Sequence, residues 1–240
     1  MPDRYGPRGV FAIMIPLQNA NMQPEYEMMR PEGVSNQIFR FSLAQHDKAP
    51  DAMVAAIGGA LGCWPDVVIA GNSVEMRLWT PPEHDVYRAR LQAEIGTARL
   101  VTATDATISA LKTIGAKRIA VLSPMHDTYS KSARDYYDSV GFDVPYHAGL
   151  QVQKPEDIIR VGPEEAIEAF RKLDHDDVDT FLHVGGALGI IDHLEEMEAE
   201  LGRPIISSNA ATYWYALRKH GIADPMPGFG QLLMRTEAVD

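Results

Sequence analysis

Six times along the chain a short apolar run breaks off into a polar tip, and this alternation limits the fold more than any other feature. The runs are GVFAIMIP (9–16), DVVIAG (66–71), ARLVTAT (98–104), RIAVLSP (118–124), TFLHVG (180–185) and PIISSN (204–209). Runs of this length without a polar stripe fit strands buried on both faces, as in parallel sheets. The longer patterns between them read as helices over 49–61, 105–115, 128–141, 163–172 and 210–220. Gly115 and Gly141 end two of these where a left-handed cap is needed, and GPEEAIEAF places proline and acids in a first turn. Strand, helix, strand in this order builds a parallel α/β sheet. Weaker runs at 37–43 and 146–150 read as additional edge strands. PPEHDVYRAR (81–90) reads as an exposed helix start, with His84 and Asp85 as minor ligand candidates.

The first three strands and the last three repeat the same order of elements, although no repeat is visible by residue identity. This predicts two pseudosymmetric, Rossmann-like α/β lobes with parallel sheets, residues 1–116 and 117–240, with the C-terminal helix free to cross back onto the first. Ligands of open α/β sheets bind beyond the carboxyl ends of the strands, so the cleft between the lobes is the expected site.

Composition removes several classes of function. Lys+Arg 22 against Asp+Glu 33, a net charge of −11, leaves no chain-wide basic footprint for nucleic acid or an anionic membrane. The N-terminal stretch suggests neither a signal peptide nor a membrane span, so the cytoplasm is the expected location. The lone Cys63 excludes an internal disulfide and a cysteine-based zinc site, and it reads as a packing residue. No histidine pair has HxxxH or HExxH spacing, so no metal is expected. No P-loop or GxGxxG is present, GGALG at 185–189 lacks the dinucleotide spacing, and no GxSxG elbow occurs. No cofactor is expected.

The six tips are rich in Asn, Ser, Thr and Gly and poor in Lys and Arg. Neutral donors and helix N-terminal amides can hold a carboxylate or an enolate oxygen without a cationic side chain. The same residues also serve as helix caps, and Gly185-Gly186 also suits a tight turn. His183 is the titrating group nearest a tip, or else a strand residue satisfied by a neighbour; strand alternation turns it away from Val184. Tyr213, Trp214 and Tyr215 serve either a dimer contact or the core.

IPLQNANMQPE (15–25), IAGNS (69–73), the helix–strand–helix unit over 110–144 and the closing segment over 181–222 resemble, in this order and spacing, one known group. It is the arylmalonate decarboxylase and maleate cis-trans isomerase branch of the aspartate/glutamate racemase superfamily, and the likeness covers nearly the whole chain. The resemblance implies an active site between two lobes and cofactor-free chemistry at a carbon next to a carboxylate. It also implies an oxyanion hole of Ser/Thr hydroxyls and backbone amides, with Asn72, Ser73, Gly185 and Gly186 at positions of that kind. Asn19 falls at the family's substrate-binding asparagine and Gln23 where glutamate is usual.

The two positions that carry thiols in the family's two-base members are Gly71 and Val184 here. Met125 stands at a tip tyrosine, and Ser130 at an asparagine one turn later, with Tyr129 beside it. The expectation is a lyase or isomerase acting on a small carboxylic acid, with Asn19, Gly71, Asn72, Ser73, Met125, Val184, Gly185, Gly186 and Ser208 around the substrate. Proton transfer falls to His183, Tyr129 or a bound water. The alternative is a catalytically inactive relative that binds a carboxylate. A homo-oligomer is an open expectation.

Overall fold

A computed structural model describes residues 3–42 and 49–239. Its two sheets each contain four parallel strands, in the orders β2-β1-β3-β4 and β6-β5-β7-β8. The first comprises β1 (Gly9–Pro16), β2 (Val34–Phe41), β3 (Val67–Ala70) and β4 (Arg99–Thr102). The second comprises β5 (Arg118–Ser123), β6 (Asp143–Gly149), β7 (Thr180–His183) and β8 (Ile205–Ser207). The two orders are the same when the second set of strands is matched to the first, so the repeat inferred from element order is a repeat of topology. Registers such as Ile13↔Ile69 and Val121↔Leu182 bring all the carboxyl tips of a sheet to one edge.

The two weak runs are edge strands, β2 and β6. Both begin three residues before the expected start, and residue 43 of the first expected run lies outside the described residues. Every residue of β1, β3, β7 and β8 is buried, which explains their unbroken apolar patterns.

The helices are α1 (Met22–Met28), α2 (Ala49–Ile57), α3 (Pro81–Ile95), α4 (Ala103–Ile114), α5 (Asp127–Ser139), α6 (Pro163–Leu173), α7 (Leu194–Leu201) and α8 (Ser208–Lys219). Sequence periodicity anticipated α2, α4, α5, α6 and α8, but not α1 or α7. The third helix corrects an expectation. The start of α3 is exposed at Glu83, Asp85 and Val86, but its inner face buries His84 between the Tyr136 hydroxyl at 3.1 Å and the Thr102 hydroxyl at 3.3 Å. Burial pushes its pKa down, so His84 is a neutral packing residue.

Helix α8 crosses back to the first lobe, where Tyr213 stacks near Tyr26 and donates to Asn36 at 3.0 Å. Tyr213, Trp214 and Tyr215 are all buried in the larger apolar core, which draws on both sheets. Among the described residues, no helix is long and apolar enough to cross a membrane.

Candidate functional site

A cavity of about 290 Å³ lies between the carboxyl edges of the two sheets. The first lobe lines it with Pro16, Gln18 and Asn19 after β1, and with Gly71, Asn72, Ser73, Met76 and Arg77 after β3. The second lobe adds Pro124 and Met125 after β5, Pro155, Glu156 and Ile158 from a 3-10 turn after β6, and Gly185, Gly186 and Ala187 after β7. Of the residues expected around a substrate, Asn19, Gly71, Asn72, Ser73, Met125, Gly185 and Gly186 line this space.

The tip after β3 supplies the polar end. Asn72 is buried, its Oδ1 faces Arg77 Nη2 at 3.4 Å, and its Nδ2 has no hydrogen-bond partner. The Tyr87 hydroxyl lies within hydrogen-bonding reach of the Asn72 side chain, but the pair does not close into a bond of full geometry, so both polar atoms remain open to a ligand. A buried amide left unsatisfied costs on the order of 1–3 kcal/mol, and such a cost is relieved when a ligand oxygen accepts from it. Beyond Ser73 the chain curls through a 3-10 turn, Val74–Arg77, that carries the Arg77 guanidinium back to the cavity. Burial lowers the Arg77 pKa, while the nearby Tyr87, Tyr129 and Glu75 favour its charged form. An anion entering the cavity would act in the same sense.

The tip after β7 is held by amides from both lobes. Asn19 and Asn209 each donate through Nδ2 to the Gly186 carbonyl at 2.9 Å, which fixes the plane of the 186–187 peptide. A Cβ on Gly186 would overlap Asn209 Oδ1, and Gly185 has φ +95°, so both glycines are required by close approach and by backbone conformation. Glu25 on α1 braces the same loop. Its Oε1 accepts from the Ile190 and Ile191 amides at 2.7 and 2.9 Å, and its Oε2 accepts from Asn209. Burial pushes the Glu25 carboxyl up to about 7, against the opposing pull of those donors.

Four expected residues are not brought to the cavity wall. His183 is fully buried in β7, with Nδ1 3.4 Å from the Ser207 hydroxyl and Nε2 without a partner. Desolvation lowers its pKa to about 4, so at neutral pH it is an uncharged core residue facing away from the cleft, as strand alternation implies. Val184 is fully buried, and its amide extends the ladder by donating to Leu122. Ser208 is buried at the start of α8, with its hydroxyl unpartnered and outside the cavity lining. Tyr129 lies behind Arg77, close enough to favour its charge.

Hydrocarbon occupies both positions where the resemblance places thiols. At Gly71 a Cβ would overlap the Met22 methyl group, and at 184 the valine packs into the core. Cys63 is remote, donating to the Ala60 carbonyl at 3.2 Å beside the smaller apolar cluster.

The two ionisable lining residues were not anticipated. Arg77 adds a cation to a site whose tips read as poor in Lys and Arg: IAGNSVEMR was read as a tip ending at Ser73, whereas the 3-10 turn folds the next residues back. Glu156 lies in the β6–α6 connection, and no periodicity marks that segment.

A two-lobed cleft at facing parallel-sheet edges, with its polar residues on strand tips, is the architecture of the aspartate/glutamate racemase-like superfamily. Within it, the chain belongs to the arylmalonate decarboxylase family, whose model matches residues 84–233. Its fold is similar to that of the maleate isomerase Iso from Pseudomonas putida S16, with a TM-score of 0.84, 22% identity, and coverage of 94% of this chain and 98% of that one. The Nocardia farcinica maleate cis-trans isomerase, solved with a covalently bound succinylcysteine intermediate, superposes with a TM-score of 0.83 at 19% identity, covering 94% and 98%. Arylmalonate decarboxylase superposes with a TM-score of 0.78 at 19% identity, covering 93% and 98%.

In sequence, the N. farcinica maleate isomerase is 21% identical over 95% of this chain and 96% of its own length. The match to the Alcaligenes faecalis maleate isomerase is 24% identical over 62% of this chain and spans only 61% of that enzyme.

Proposed function

We propose that the protein is a cofactor-free lyase or isomerase acting on a small carboxylic acid, bound in the cleft between the lobes. Asn72, Ser73 and the Gly185–Ala187 backbone hold the oxygens of an enolate-like intermediate, and Arg77 pairs with a carboxylate. The observation that carries this reading is the buried, unpartnered Asn72 amide set beside Arg77 in a cavity whose other walls are largely apolar. A carboxylate oxygen can accept from the Asn72 amide while lying against the Arg77 guanidinium, and in a partly dry cleft such a charge-assisted contact is stronger than in water. Relatives named for maleate isomerisation and arylmalonate decarboxylation support the same substrate class. Neither relative's chemistry transfers unchanged, because no thiol lines this cavity among the described residues.

The test is a thermal-shift and NMR screen with maleate, phenylmalonate and methylmalonate. The expected outcome is a concentration-dependent rise in Tm with at least one of them, accompanied by product in the NMR spectrum. No shift with any probe, at concentrations where weak binders register, contradicts the reading. The hydrocarbon at both thiol positions favours a second reading, an inactive relative that retains carboxylate binding; its signature is stoichiometric binding with no product after long incubation.

A further inference from the structure

Proton transfer at carbon needs a group that gains and loses a proton, and the cavity wall narrows the choice. Among its described residues only Arg77 and Glu156 carry ionisable side chains. A guanidinium does not give up its proton in a protein. We propose that Glu156 is a catalytic residue, the proton carrier of this site. The inference rests on the carboxylic-acid reading of the cleft given above.

Three further observations support it. First, Glu156 is uncommitted. The buried carboxylates have their oxygens taken up by donors: Glu25 by two amides and Asn209, Glu75 by Thr104 and Tyr137, and Glu198 by the Ile205 and Gln231 amides. Among the described residues, none forms a side-chain hydrogen bond or ion pair with Glu156.

Second, the backbone position of Glu156 is set by its neighbours. It sits between Pro155, which opens the Pro155–Arg160 turn and also lines the cavity, and Ile158, which is buried in the core at the cavity wall. Third, it belongs to the second lobe, whereas Asn72 and Arg77 belong to the first. An enediolate is planar, its oxygens are held from the side, and its carbon accepts or gives a proton through a face. Placing the oxygen-holding groups and the carboxyl on different walls supplies that division. Because Glu156 is exposed at the cavity mouth, it exchanges protons directly with water.

In the lyase direction, the bond between the α-carbon and the departing carboxylate breaks and carbon dioxide leaves. The electron pair stays on the α-carbon as an enediolate, whose oxygens rest on Asn72 and the tip amides. The protonated Glu156 then gives its proton to that carbon, a C–H bond forms, and the carboxylate recovers a proton from water. One solvent proton is consumed per turnover. In an isomerisation that inverts a tetrahedral α-carbon, the Glu156 carboxylate first takes the α-proton, leaving the electron pair in the enediolate, and later returns a proton to carbon; a double-bond isomerisation of the maleate kind lies outside this step.

The experiment measures the binding of phenylmalonate and maleate by calorimetry, then turnover in D2O by NMR, for the full chain and for Glu156→Gln and Glu156→Asp. Wild type is expected to bind a probe and, from phenylmalonate, to form product carrying solvent deuterium at the α-carbon. Glu156→Gln is expected to lower kcat by roughly 10²–10⁴-fold, the usual share of general acid–base catalysis. Its affinity should stay level or rise, because a negative charge has left the cavity mouth. Glu156→Asp should retain more turnover than Glu156→Gln. An unchanged Tm in each variant shows that the fold is intact. Wild-type kcat in Glu156→Gln overturns the assignment and leaves the carboxylic-acid reading standing. Binding without product in wild type overturns both the assignment and the enzymatic reading, and favours the inactive relative. Absence of binding removes the reading of the cleft and the assignment together.

Discussion

After β3 in the first lobe the chain passes through Asn72 and Ser73 and curls so that Arg77 returns to the cavity. After β7, the equivalent strand of the second lobe, it passes through Gly185 and Gly186 and contributes backbone, with Pro124, Met125 and Ile158 forming an apolar wall nearby. The sheets are topological copies, yet one tip presents side-chain donors and a cation while its counterpart presents peptide groups. Duplication of a βα framework thus sets where the two walls meet, and the few residues after each strand decide what each wall does.

The braces between the lobes differ in the same way. From α1, the helix after β1, Glu25 reaches across to the Ile190 and Ile191 amides. From α5, the helix after β5, Ser132 reaches back, accepting from the Leu78 amide at 2.7 Å and donating to the Glu75 carbonyl at 2.7 Å. One brace is a buried carboxyl with three donors; the other is a single hydroxyl in the matching place.

The largest expected effect breaks the first brace. Glu25→Ala leaves two backbone amides and the Asn209 side chain without their acceptor, and should lower stability by about 3–4 kcal/mol in denaturant unfolding. A loss no larger than that of Ser132→Ala would dissolve the distinction between the two braces.

Next in size is a pair of pH effects with opposite signs. Glu25 holds its proton more tightly in the folded chain, so its contribution to stability is complete below the ordinary carboxyl value of 4.5 and is lost as pH rises through about 7. His183 holds its proton less tightly in the folded chain, so its contribution is complete above the ordinary imidazole value of 6.5 and is lost as pH falls through about 4. Acidification from pH 7 to 4 should therefore cost wild type up to about 3 kcal/mol more than it costs His183→Gln. Equal acid sensitivity would indicate that His183 is hydrated.

Smaller, and confined to the polar wall, Arg77→Gln should weaken carboxylate binding by about 2 kcal/mol, roughly 30-fold, with little change in Tm at zero ligand. Smallest is Ser132→Ala, at about 1–2 kcal/mol of stability.

Much of the framework was legible in the sequence because buried parallel strands have few alternatives. GVFAIMIP and, after Asp66, VVIAG contain no polar residue that would tolerate a one-sided sheet, and the order of elements revealed the repeat. Helix α1 was hidden because Asn19, Asn21 and Pro24 read as loop, although the Asn19 Oδ1 accepts from the Met22 amide at 3.0 Å and helps to open the helix. His84 was misplaced because the charged neighbours Glu83 and Asp85 gave its helix an exposed appearance, while its own position faces Tyr136 and Thr102.

Within the site, the residues on tips, Asn19, Asn72, Ser73, Gly185 and Gly186, were legible from chain position alone. Arg77 and Glu156 were not, since a tight 3-10 turn and a non-periodic crossover bring them in by three-dimensional path. His183 drew attention as an ionisable group near a tip; the pleat turns it into the core.

The most direct test of the central claim, that the first lobe's tip holds a substrate carboxylate, is a calorimetric titration of phenylmalonate and maleate into wild type and Asn72→Ala. The account predicts single-site binding of at least one probe by wild type, and affinity about tenfold weaker in the variant, as expected for one lost hydrogen bond to a charged group. Absence of binding by wild type, or equal affinity in Asn72→Ala, would contradict it.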